Sequence, residues 1–256
     1  TTVLPFAVVA AAALAALLYY EPRRTEPLID LRFFRSVPFS GATVIAIATF
    51  ASIGGFLFLS TLYLQNVRGY DALHAGLWML PMAVPMFLCA PLSGRLVGSR
   101  GPRSSLLVAG AAMTVSAVLF AAFDAETTNL SLFLGYVLFG VGFGFVNAPI
   151  TNTAVSGMPR AQAGVAAAVA STSRQLGSTL GVAVVGAALA SGLGTSSYRK
   201  AFVSASVPGW WILVGCGVVV FVLGALTTGR WARATAERTA EKLESAEVRR
   251  PTEVSA

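Results

Sequence analysis

Apolar residues fill this chain in seven long runs, at about 3–20, 40–64, 75–97, 104–123, 130–150, 163–190 and 209–228. Polar residues are confined largely to the stretches between them. A bilayer core about 30 Å thick needs roughly 20 apolar residues of helix, so each run predicts a membrane span. Most connections are short, as packed antiparallel neighbours require. The exception is "EPRRTEPLIDLRFFRSVPFS", with Leu28, Leu31 and Phe34 at helical spacing. It predicts an amphipathic segment on the cytoplasmic interface, Arg32 and Arg35 toward headgroups. The expected organisation is therefore one helix over 1–20, a cytoplasmic loop over 21–39, a six-helix bundle over 40–228 and a largely disordered cytoplasmic tail over 229–256. Aromatic residues mark span ends at Tyr19, Tyr20, Tyr63, Trp210, Trp211 and Trp231.

The runs differ in kind. The fourth and seventh contain nothing polar beyond Ser, Thr and Cys, and are expected to tolerate lipid all round. The third carries Pro81, Pro85 and Pro91, whose missing N–H groups leave carbonyls for neighbours to satisfy. In the fifth, Gly140 and Gly144 form a GxxxG pair suited to close helix contact. Asn147, Pro149 and Asn152 follow at its end. The second run closes on "FLSTLYLQN", which puts Tyr63, Gln65 and Asn66 near the outer surface.

The sixth run holds "STSRQLGSTLG", with Arg174 near its middle. A central arginine costs roughly 2.5–3.5 kcal/mol to insert, so such residues face a bundle interior or a wet cavity. At 100° per residue, Ala167, Ala170, Ser171, Ser178 and Gly181 fall within about 60° of it, and bulky residues such as Leu176 and Leu180 fall opposite. Ser173, Gly177 and Gly181 add a ladder of small residues at one flank. Arg174 therefore either locks packing by bonding a neighbour's carbonyls or lines a polar pathway. Gln175 is open to two readings, capping a backbone gap or touching substrate.

Composition sharpens the picture. The chain is 55% hydrophobic and 11% charged, under half the charge of soluble domains, which is about 25%. Its net charge of +7 raises nucleic acid as a partner, but the distribution argues otherwise. With the C-terminus in the cytoplasm, fourteen Lys and Arg fall in cytoplasmic segments and three in the opposite loops, as the positive-inside rule requires. The expectation is a multi-pass protein of the cell membrane, with no nucleic-acid partner. The start at Thr-Thr rather than Met suggests a fragment or numbering from within a longer chain.

Catalytic chemistry is not apparent. No Asp or Glu lies inside a run, and there is no Ser-His-Asp set, HExxH or phosphate-cradling GxxxxGK[ST]. Cys89 and Cys216 sit inside spans, where buried small hydrophobes is the better reading. We expect no enzyme, no cofactor and no metal site. His74, at the start of the third run, reads as a polar helix start rather than a proton-carrying group.

Several stretches together resemble the major facilitator superfamily, specifically its 14-helix drug:proton antiporters of the EmrB/QacA type. "LYLQNVRGYDALHAGLWMLPMAVP" (62–85) is similar to the link that opens that family's C-terminal half. "PLSGRLVGSRGPR" (91–103) is similar to its G-x-L-x-D-R-x-G-R loop, with Gly94, Leu96, Gly101 and Arg103 matching. Gly98 stands where that motif usually has Asp. "STSRQLGSTLGVAVVGA" (171–187) is similar to the family's penultimate helix.

The resemblance implies an all-α membrane fold in which the last six of seven helices form one transporter half. It implies that the second and fifth spans line a central cavity, with Phe56, Phe58, Tyr63, Gln65 and Asn147 candidates for the substrate pathway beside Arg174 and Gln175. The third and sixth spans would face an N-terminal half missing from this chain, and the fourth and seventh would lie outermost. The expected function is the C-terminal portion of a proton-coupled multidrug exporter working by alternating access, with a small hydrophobic or cationic drug-like substrate, protons and the lipid bilayer as partners. One bundle without an intramembrane acid is not expected to pump alone. The alternative is a truncated, non-transporting membrane protein with a scaffold role.

Overall fold

The computed structural model describes residues 36–124, 126–155, 163–192 and 198–229 throughout, and isolated positions elsewhere. More than half of the first run, most of 21–39 and most of the tail therefore lie outside the described residues. Helix α1 spans Val37–Leu62 and runs on as a π-helical turn over Tyr63–Val67. A short α2 (Ala72–Leu77) leads into α3 (Leu80–Arg100) and α4 (Pro102–Ala121). Three long helices follow: α5 (Asn129–Val155), α6 (Ala163–Gly192) and α7 (Tyr198–Leu226). Among the described residues there is no strand, and six helical stretches are long and apolar enough to cross a membrane.

Helix α1 begins at Val37, three residues inside the expected 21–39 loop, and two boundaries differ more, for one reason. Hydropathy ends the fifth run at 150, whereas α5 continues to Val155 with Pro149 inside it. It starts the seventh at 209, whereas α7 begins at Tyr198 with Pro208 inside. Hydropathy scores composition, while helices persist through polar turns that have something to pack on. Ala201, Phe202 and Ala205 in the early turns of α7 are buried.

Helix α1 packs along α6 and also meets α5 and α7; α4 lies against α5 and α7, and α3 lies on α5. Small residues set the closest contacts. A Cβ added to Gly181 would lie 2.0 Å from the Ala51 carbonyl oxygen, one on Gly177 2.4 Å from that of Ile47, and one on Gly54 2.6 Å from that of Ser178. The ladder read from the sequence is thus a backbone-to-backbone seam between α1 and α6. Gly140 and Gly144 do the same for α5 against Met82 and Met86 of α3.

Between these seams sits an aromatic core. Phe56 stacks on Phe139 at 3.8 Å and meets Phe120, Tyr136 and Trp210 edge-on at 4.9–5.7 Å, joining α1, α4, α5 and α7. Each edge-on pair adds about 0.5–1.5 kcal/mol beyond burial of its area.

The fourth and seventh runs are not bathed in lipid all round. Gly110 of α4 backs onto Phe221 and Gly217 of α7 onto Thr114, and Leu106, Ala109, Met113 and Ala117 are fully buried or nearly so. Lack of polar groups permits lipid contact without dictating it; the glycines decide. The least covered helices are α3 and α6, with Phe87 80% and Leu88 58% exposed on one and Leu176 49% on the other.

Proline consequences are also resolved. Pro149 has no N–H for the carbonyl four residues back, which is that of Phe145. Ser93 Oγ of α3 and Ser105 Oγ of α4 lie 2.8 and 2.7 Å from that oxygen and 2.7 Å from each other. Both serines are fully buried. Two hydroxyls from two helices thus serve the acceptor that the proline strands.

Candidate functional site

The arginine of α6 opens onto a recess of about 440 Å³ between α1, α5 and α6. From α1 come Phe50, Ile53, Gly54 and Leu57, which at spacing i, i+3, i+4, i+7 share one helix face. Helix α5 adds Phe143, whose ring meets that of Phe50 at 5.4 Å and 67°. Helix α6 supplies Ser171, Arg174, Gln175 and Ser178, of which the 100° wheel puts Ser171 and Ser178 on the arginine's own face. One wall is aromatic and aliphatic, and the facing wall is polar and positively charged.

Arg174 is half-buried. Its Nη2 donates to Thr151 Oγ1 at 2.7 Å, its guanidinium carbon lies 5.9 Å from the centre of the Phe50 ring, and its Nε is buried with no hydrogen-bond partner. Thr151 lies on the same α5 row as Phe143 and Asn147, four residues apart each time. Asn147 is half-buried between them, and its carbonyl accepts from the Thr151 hydroxyl at 3.3 Å. No carboxylate lies on any of the six long helices. The cation thus holds one hydroxyl and one ring face among the described residues.

Other candidates fall elsewhere. Gln175 is exposed and lines the recess. Phe56 does not: it is fully buried in the aromatic core, because two positions past Gly54 turns its side chain about 200° away. Phe58 is half-buried and lies on α6 beside Gly186, 3.6 Å from where a Cβ there would stand. That is two turns beyond Ser178. Tyr63 is buried and donates its hydroxyl to the Asp124 carbonyl at 2.6 Å, tethering the π turn to the α4–α5 connector. Arg68 adds a bond to the Thr127 carbonyl of the same connector and lies 5.8 Å from the centre of the Tyr63 ring. Gln65 is exposed on that π turn, away from the recess. A π turn often marks a functional position; here it swings Tyr63 and Arg68 onto one connector.

That connector is itself organised. Asp124 Oδ1 accepts from the Glu126 N–H and the Thr127 hydroxyl, both at 2.9 Å, and these bonds hold its carboxyl below the usual range. His74 is exposed, stacked on Tyr70 at 4.3 Å, with its backbone N–H capped by Asp71 Oδ1 at 2.7 Å. With Asp71, Trp78 and Phe133 it borders a separate recess of about 450 Å³.

In the loop motif, Gly101 joins α3 to α4 as a single residue at φ 81°, ψ 175°, a region essentially reserved for glycine. Arg103 is exposed in the first turn of α4, Leu96 is half-buried, and Gly94 has open space where a Cβ would stand. Cys89 and Cys216 are free and half-buried.

Sequence reasoning missed Phe50, Ile53, Gly54, Leu57, Phe143 and Thr151. The first five carried a signal, since Phe50, Ile53, Gly54 and Leu57 form an i, i+3, i+4, i+7 row and Phe143 lies one turn before Asn147. Thr151 carried none within the runs, because hydropathy placed it in a loop.

Similarity to known proteins places the chain in a family. The Major Facilitator Superfamily pattern matches residues 2–182. The chain is 35% identical over 184 residues to the multidrug resistance protein Stp of Mycobacterium tuberculosis, covering 72% of this chain and 34% of that one. It is 36% identical over 191 residues to the tetracenomycin C resistance and export protein of Streptomyces glaucescens, covering 75% and 36%. The quinolone resistance protein NorB of Staphylococcus aureus is 27% identical over 219 residues, covering 84% and 46%. The matched stretch is a third to under half the length of these relatives. A match over well more than half of this chain, on a bundle of membrane-length helices, means that the chain belongs to the major facilitator superfamily, a family of transporters rather than enzymes.

Proposed function

We propose that this chain is the C-terminal portion of a proton-coupled multidrug efflux transporter of the cell membrane, working by alternating access, with its C-terminus in the cytoplasm. The observation that carries the proposal is the Arg174 recess. It is an amphiphilic pocket with an aromatic corner on one side and a lone cation among hydroxyls on the other, within a family whose similar members are named for drug resistance and export. A small drug-like compound with an apolar body fits such walls. The poorly covered faces of α3 and α6 suit an N-terminal half, against which this bundle would rock. The proton-binding group would belong to that half, since the long helices here contain no acid.

The test is export of a fluorescent drug by the full-length protein in proteoliposomes under an imposed pH gradient. Arg174→Ala is expected to lower export at least tenfold while leaving membrane expression near normal. Normal export by a variant that is depleted from the membrane would reduce Arg174 to a packing residue and remove the support of the recess.

A further inference from the structure

We infer that the compound held in the Arg174 recess presents an anionic group, a carboxylate or an ionised acidic hydroxyl, to Arg174 and lays an aromatic body against Phe50 and Phe143; the inference rests on reading that recess as the transport site. An arginine in a protein is always protonated, so the recess carries a fixed positive charge. What surrounds it is neutral. Ser171 and Ser178 lie about one turn to either side of Arg174 on α6, Gln175 is its neighbour, and no carboxylate lines the space.

The cation is also incompletely served. Thr151 takes one nitrogen and the Phe50 ring faces the guanidinium, but Nε has no partner. Guanidinium groups carry five N–H donors in a fork that matches a carboxylate. A hydroxyl and a ring leave most of that capacity unused in a region where unmet polar groups are costly. An anion brings both the missing charge and the missing acceptors, whereas an organic cation would meet repulsion.

The size of the effect follows from distance. Unit charges about 5 Å apart at an effective dielectric near 20 shift an equilibrium by roughly two orders of magnitude. The recess opens to solvent, which lowers this to about tenfold between an anion and its neutral isostere. The aromatic corner sets the other half of the specificity, because Phe50 and Phe143 stand nearly edge-to-face and leave a ring-shaped wall. Both contacts end on one residue: Phe50 also faces the guanidinium, so ring and acid are read side by side.

The experiment uses three radiolabelled probes on one ring system, 2-naphthoate, 2-naphthamide and 2-naphthylmethylammonium, bound to the full-length protein in lipid nanodiscs. Naphthoate is expected to bind about tenfold tighter than the amide, and the ammonium weakest. Arg174→Gln should erase that order by weakening naphthoate more than the amide, and Arg174→Lys should keep the order. Phe50→Ala should weaken all three. Equal binding of the three probes, still weakened by Phe50→Ala, would overturn the anion inference and leave the recess as the site; an acid from outside this chain would then neutralise Arg174. A naphthoate preference surviving in Arg174→Gln, or lost in Arg174→Lys along with amide binding unchanged, would also overturn it. No binding of any probe would sink the recess reading as well.

Discussion

The Phe145 carbonyl offers a test of how three helices are held together. Pro149 removes its helical donor, and Ser93 and Ser105 stand 2.8 and 2.7 Å away in its place. Changing either serine alone to Ala leaves the other hydroxyl free to donate. The cost should then be near the average interhelical hydrogen bond in membrane proteins, about 0.6 kcal/mol. Changing both leaves a buried carbonyl with no donor, and that orphan costs about 1–3 kcal/mol. The double variant should thus lose more than the two single losses added, the signature of a shared partner. Adding Pro149→Ala to the double variant restores an N–H four residues on and should recover most of the loss. Reversible unfolding of the chain in mixed detergent–lipid micelles, followed by tryptophan fluorescence, reads these differences; 1.4 kcal/mol is tenfold in the equilibrium. Strict additivity, or a double variant that Pro149→Ala leaves unrepaired, would show that the carbonyl is not what the two serines serve.

Two further outcomes are expected. Gly181→Ala puts a methyl 2.0 Å from the Ala51 carbonyl oxygen and should destabilise the chain by about 1–3 kcal/mol through overpacking, whereas Gly98→Ala, with open space at that point inside α3, should raise stability in the same measurement by about 0.5–1 kcal/mol through helix propensity. In a variant lacking Cys89 and Cys216, Glu126→Cys should react with an impermeant maleimide from outside intact cells and Arg103→Cys should not; the reverse pattern would invert the topology.

Much of the fold could be read because lipid is a demanding solvent. A span must be long, apolar and self-bonded, so hydropathy alone locates all six membrane-length helices found among the described residues, and a charge deep in one of them is conspicuous. Helical spacing then orders residues around each axis, which is why the small ladder on α6 and the GxxxG pair on α5 could be recognised as seams. Spacing does not say which neighbour covers which face. Phe56 and Phe50 are both phenylalanines of α1, six residues apart, and nothing in their own type separates core from recess. The separation comes from what lies opposite: Phe120, Phe139 and Trp210 for one, Arg174 and Phe143 for the other. Tyr63 shows the same limit, since its hydroxyl has a partner 61 residues away on a connector.

Thr151 carries the point further, because its misplacement and the arginine share one cause. Hydropathy falls at the end of the fifth run, so Thr151 and Asn152 read as a cytoplasmic loop. The helix nevertheless continues to Val155, and Thr151 gives Arg174 a hydroxyl partner at 2.7 Å. A guanidinium in the sixth helix needs polar atoms on the helices beside it, and a polar end on α5 needs something better than hydrocarbon to face. Each feature looks unfavourable when its own run is read in isolation. Placed side by side, the drop in hydropathy after residue 150 and the charge at 174 offset one another. A search for the arginine's partner among all polar residues within two turns of a neighbouring run, rather than inside the runs alone, would have brought Thr151 into view.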